Sequence, residues 1–155
     1  MNLKETKYFK DPPTSYSSNK TDEKSSLDLA ENFRLQYENL YPTRPRLLIA
    51  PQNECDINKV VCSYIKPTLL PLKDFYDWDK IADFTKSYIL IKCLDNPTEM
   101  PSLMCSPTKV VAEQLGNCFE HSILLTSLLI GAGYDAYCVY GYATRDICYG
   151  KGSFV

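Results

Sequence analysis

The sequence predicts an α+β fold, and three observations carry that reading. Apolar residues recur at helical spacing around 29–41, 57–65 and 78–89. A later stretch, 119–130, is apolar on nearly every side, as a helix inside a protein is. Directly after it, residues 136–142 (Ala-Tyr-Cys-Val-Tyr-Gly-Tyr) read as a β-strand. With 155 residues, 45% of them apolar and 23% charged, the chain is long enough for one domain. A net charge of −2 gives no electrostatic case for nucleic acid or an anionic membrane as partner. The single histidine, His121, excludes any mechanism or metal site that needs two.

Residues 1–26 are polar and mixed in charge, with Pro12-Pro13 and a Ser/Asn/Lys/Thr run. Too few apolar groups are present to offset the entropy of ordering, so this segment reads as a disordered polar tail. The domain is expected over 27–155. Ser25 and Asp28 fit a capping box opening a first helix. Its apolar side is Leu29, Phe33, Tyr37 and Leu40-Tyr41, and Pro42 ends it. Residues 46–50 read as a short buried strand or extended segment. Ile57, Val60, Val61, Tyr64 and Ile65 predict a second helix over 55–66, and Pro67 and Pro71 then force an extended connector. Asp77 can cap a third helix whose core side is Trp78, Ile81, Ala82, Phe84, Tyr88 and Ile89. Residues 95–107, with three prolines, read as an irregular loop. All six glycines fall after residue 115, concentrating backbone freedom around the apolar helix, and Gly131-Ala132-Gly133 supplies its stop. No apolar stretch approaches the roughly 20 residues of a membrane span, so a soluble, intracellular chain with reduced thiols is expected.

The chemistry-bearing segment is Gly116-Asn117-Cys118-Phe119-Glu120-His121-Ser122, where the apolar helix opens. A thiol in the first turn of a helix meets the positive end of the dipole and unsatisfied N–H groups, which favour thiolate. Cysteine is also among the most buried residue types, and six others stand at 55, 62, 93, 105, 138 and 148. None has the close spacing of zinc ligands or a resolving partner, so neither a metal, a cofactor nor a redox pair is expected. His121 lies one turn from Cys118 on the same helix. A catalytic base comes from another element, so His121 reads as a side chain satisfied by a tyrosine or a carbonyl.

Gly116-Asn117-Cys118, the apolar helix, Gly133-Tyr134 and residues 136–142 together resemble the core of the transglutaminase-like, papain-type cysteine-nucleophile superfamily. There a nucleophile opens a central helix, and the histidine and aspartate come from later strands. The runs Gln36–Cys55 (QYENLYPTRPRLLIAPQNEC), Gly116–Phe119 and Leu129–Val139 resemble more closely the lobo family of ciliary proteins, the seventh-subunit family of the dynein regulatory complex. The resemblance implies an incomplete papain/transglutaminase-like core: a central cysteine helix followed by the first strand of a sheet. The histidine and aspartate strands are expected beyond Val155, leaving the apolar helix without its covering sheet. Cys118 then occupies the nucleophile position with no base in this chain, and is inactive.

What the resemblance implies is a structural subunit of the axonemal nexin–dynein regulatory complex. Such a subunit helps link doublet microtubules and regulates ciliary and flagellar motility. Its partners would be the other subunits of that complex and axonemal microtubule- and dynein-associated proteins, in the cytoskeleton of the cilium. The rival class is a cysteine-dependent acyl-transfer enzyme, a transglutaminase or protease, whose base comes from outside the chain.

Overall fold

Residues 14–94 and 99–141 are described by a computed structural model, and they form a mixed α+β body with an outlying helix. The helices are α1 (Thr21–Leu40), α2 (Trp78–Tyr88), α3 (Pro107–Glu113) and α4 (Cys118–Gly131). Two short strands, β1 (Leu90–Ile91) and β2 (Leu115–Gly116), pair in parallel, with Leu90 opposite Leu115 and Ile91 opposite Gly116. Single 3-10 turns occur at Thr14–Tyr16, Val61–Tyr64 and Lys73–Tyr76.

The body is built around α4. Its sequence leaves no polar face, and the chain packs it from more than one side. Leu124 and Leu128 join Leu70, Ile81, Ile89, Val110 and Val111 in one core cluster. Ile123 joins Tyr16, Tyr64 and Met104 in another. The expectation that this helix lacks cover is therefore corrected: α2, α3 and the loops before them bury it. Ser127 and Thr126, the polar residues inside α4, return their hydroxyls to Ile123 O and Ser122 O at 2.8 Å, so no donor is stranded. The connector from Lys66 is clipped to the same helix, with Lys66 N on Ser127 Oγ at 3.3 Å and Thr68 N on Ser127 O at 3.0 Å. This approach is so close that a Cβ on Gly131 would lie 2.0 Å from Thr68 O. Gly133, at φ +97°, then turns the chain out of the helix.

Other expectations shift for identifiable reasons. The helix expected over 55–66 is one 3-10 turn, because buried Asn53 captures the local amides. Its Oδ1 accepts from Cys55 N at 2.8 Å and Ile57 N at 3.0 Å, and Asp56 adopts a left-handed φ of 58°. Residues 46–50 run extended outside any sheet, with Ile49 O accepting from Val61 N at 2.8 Å. The segment after the 95–107 loop contains α3, signalled by Ser106 as cap and Pro107 at the first helical position. Trp78, expected to face the core, is 65% exposed at the start of α2.

The strand expected at 136–142 is also corrected over its described part: residues 136–141 form no strand, and Tyr142 lies outside the described residues. A strand needs a neighbour to satisfy its amides, and the sheet instead forms before α4, between β1 and β2. The alternation that suggested a strand survives as alternating exposure. Tyr137 and Val139 are exposed, while Ala136, Cys138 and Tyr140 are half-buried, and the Tyr140 ring stacks on Phe119 at 5.5 Å.

Within the segment read as a tail, residues 1–13 lie outside the described residues. Tyr16 is buried, and its carbonyl accepts from Asn53 Nδ2 at 2.6 Å. Helix α1 begins at Thr21, four residues before the expected cap, and Ser25 lies inside it, its hydroxyl on Thr21 O. The earlier start follows from Glu23, whose carboxylate accepts from Lys20 N at 2.9 Å and from Lys59 Nζ at 3.0 Å. Lys59 is itself buried, and Ser18 O accepts a second bond from its ammonium.

Two stability outcomes follow. Gly131→Ala is expected to lower the unfolding free energy by about 1–3 kcal/mol in urea titrations, because Thr68 must move. Gly141→Ala, where a Cβ meets open space, should leave it unchanged. The Lys20 amide and then the Lys59 ammonium hold the Glu23 carboxyl below its ordinary range. Such a carboxylate stabilises the fold above its unfolded value of 4.5, and that contribution is lost as pH falls through the folded value. Lys59→Met should therefore flatten the acid limb of the stability–pH profile.

Candidate functional site

The sequence-predicted site lies where β2 hands over to α4, and its geometry begins with Asn117. As the helix cap, its Oδ1 accepts from Phe119 N and Glu120 N, both at 3.0 Å. Glu120 reciprocates, Oε2 accepting from Asn117 N at 2.8 Å. The same carboxylate reaches across the fold: Oε1 accepts from Cys105 N at 2.6 Å. Glu120 is buried, yet both oxygens are engaged by amides at the positive end of α4, which is how a buried carboxylate is accommodated. Glu54 repeats the device one element away. It accepts from Ser106 N at 2.9 Å and from the Ser106 hydroxyl, while Ser106 caps α3 by accepting from Lys109 N.

Cys118 is the first residue of α4 and is exposed. His121 shares its helix but is committed elsewhere. Nδ1 lies 2.9 Å from Asn117 O and Nε2 lies 3.2 Å from Ile89 O. The ring thus clasps α4 to the residue before β1, as a carbonyl-satisfied side chain. Gly116 serves packing rather than turning: it pairs with Ile91, and a Cβ there would meet Val110 Cγ1 at 3.0 Å and Glu120 at 3.4 Å.

Sequence reasoning missed the other half of this junction. A cleft of about 360 Å³ is lined by Cys93, Cys105, Asn117 and Glu120 among others, and Cys118 is not part of its lining. Burial, and then the nearby Glu120 charge, push the Cys105 thiol up to about 12, which keeps it protonated and unreactive at neutral pH. Cys105 and Glu120 are fifteen residues apart, and Glu54 and Ser106 fifty-two, so no local spacing signalled either pair.

Together these features define an α+β body whose central helix presents an exposed thiol at its capped N-terminus, with the lone histidine turned to a structural bond. No protein-family model matches the chain. It is similar to the Dynein regulatory complex subunit 7 of Xenopus tropicalis, 52% identical over 134 residues, or 86% of this chain. The human protein of that name is 44% identical over 88% of the chain. The Drosophila melanogaster "Coiled-coil domain-containing protein lobo" is 36% identical over 86% of it. The chain spans only 15–16% of the length of these curated relatives.

The capping carboxylate can be tested directly. Gln at position 120 keeps one acceptor but turns an amide NH₂ toward an N–H. Glu120→Gln is expected to cost about 1–3 kcal/mol in denaturant unfolding, with α4 amides losing protection first.

Proposed function

We propose that the chain is a transglutaminase-like region of a structural subunit of the axonemal nexin–dynein regulatory complex. In this reading the body docks other subunits and helps transmit control to the dynein motors. The observation that carries the reading is similarity to proteins named Dynein regulatory complex subunit 7 over nearly nine-tenths of the chain. The geometry supports a docking rather than a catalytic role. A nucleophilic thiol needs a base within hydrogen-bond reach, oriented by a third group. His121, the chain's single histidine, instead has its two ring nitrogens against the backbone carbonyls of Asn117 and Ile89. Cys118 keeps the nucleophile's place at the head of the helix and acts as part of a protein surface. The cilium is the proposed location, and the other subunits, with axonemal microtubule- and dynein-associated proteins, are the proposed partners.

The acyl-transfer reading retains one observation in its favour, the exposure of Cys118 at a helix N-terminus. Two measurements separate the readings. In ciliated cells, a tagged full-length protein carrying this sequence should stay with detergent-extracted axonemes, and its removal should alter the beat. At neutral pH, iodoacetamide should label Cys118 no faster than exposed Cys62. Selective labelling of Cys118 with release of the protein into the detergent-soluble fraction would favour the enzyme instead.

A further inference from the structure

Helix α1 is the element whose apolar face the body does not use. None of its twenty residues is buried. Among the described residues, its ties to the rest of the chain include the Glu23–Lys59 ion pair near its start and the Arg46 Nε–Glu38 Oε1 pair, at 4.0 Å, near its end, with Asn19, just before the helix, donating from Nδ2 to Asn58 O at 3.2 Å. Leu29, Phe33 and Leu40 are exposed by 70%, 54% and 71%. With Asp22, Ser26 and Gln36 they follow the alternating four- and three-residue steps of a helix-packing seam. Tyr37 extends the apolar side, its ring 6.4 Å from Phe33 and 5.4 Å from Tyr41, over which Arg44 sits at 4.3 Å. Leu29, Phe33, Tyr37 and Leu40 thus share one side of α1, and large apolar side chains grouped on a surface helix are a feature of interaction sites.

Charge selects the occupant. Helix α1 carries Asp22, Glu23, Asp28, Glu31 and Glu38 against Lys24 and Arg34, a net charge of −3. Arg34 is consumed by Glu31 and Glu38, at 2.5 and 2.8 Å, and Glu23 by Lys59. Among the described residues no ion pair engages Asp22, which lies in the seam itself, or Asp28 beside it. A second copy fits poorly. A parallel pair sets Asp22 against Asp22, and an antiparallel pair sets it past the end of the partner helix. Two copies would also bring together two helices that each carry a net charge of −3, a repulsion that a cationic partner does not meet.

We propose that α1 is a docking helix for a different polypeptide. That partner presents an amphipathic helix whose apolar residues meet Leu29, Phe33 and Leu40, and whose cationic side chains meet Asp22 and Asp28. The inference stands on α1 alone and does not depend on the axonemal reading.

The test uses the 155-residue chain and two designed helical peptides of about three heptads, both with leucine at the seam positions. One carries lysine at the flanking positions and its twin carries glutamate. The lysine peptide should bind roughly tenfold tighter than its twin at low salt, with the gap closing at high salt. Leu29→Gln/Leu40→Gln keeps helix propensity and should abolish binding while circular dichroism and thermal unfolding stay unchanged. Asp22→Lys/Asp28→Lys should reverse the preference between the peptides. The free chain should run as a monomer by light scattering. Equal binding of both peptides, binding of neither, indifference to the variants, or a dimer dispersed by Leu29→Gln/Leu40→Gln would each overturn the proposal.

Discussion

The fold depends on a single carboxylate, that of Glu120. It closes the capping box with Asn117 and simultaneously holds the backbone of Cys105, so one side chain fixes where α4 starts and where the loop before α3 passes. His121, one residue on, adds the bond to Ile89 O and sets α4 against the approach to β1. A helix as apolar as α4 would pack in many registers against apolar neighbours. Directional bonds at its N-terminus select one register, and the burial of Ile123, Leu124 and Leu128 then supplies the stabilisation.

The same arrangement surrounds the exposed thiol of Cys118. The positive end of the α4 dipole is already answered by Asn117 and Glu120, and the only imidazole in the chain is turned to backbone carbonyls. The architecture around Cys118 is that of a helix start made rigid. Such a start fits the docking role proposed for the body, and α1 leaves Leu29, Phe33 and Leu40 exposed beside it. The two parts divide the work: α4 organises the interior, while α1 contributes none of its residues to it.

Much of this was legible in the residues, and what was not has a physical reason. Helices α2 and α4 announce themselves by period and by an all-apolar sequence, and Asn117 as cap follows from its side chain. The spacing Leu29, Phe33, Tyr37, Leu40 correctly marks a helix but not its surroundings, because periodicity records a face and not what covers it. The segment 55–66 has a helical pattern defeated by Asn53, whose amide competes for the same N–H groups. Residues 136–141 show that alternation is a property of one chain, whereas a strand is a property of two. The Glu54–Ser106 and Glu120–Cys105 bonds join residues far apart in sequence, and nothing local announces them.

The central claim is that the chain is a body nailed together by α4 with α1 standing outside it. Amide hydrogen exchange on the isolated chain tests this most directly. The account predicts the slowest exchange in the middle of α4, around Ile123 to Leu128, and fast exchange along α1 beyond its first turn. Protection of Leu29 to Leu40 equal to that of α4 would contradict it.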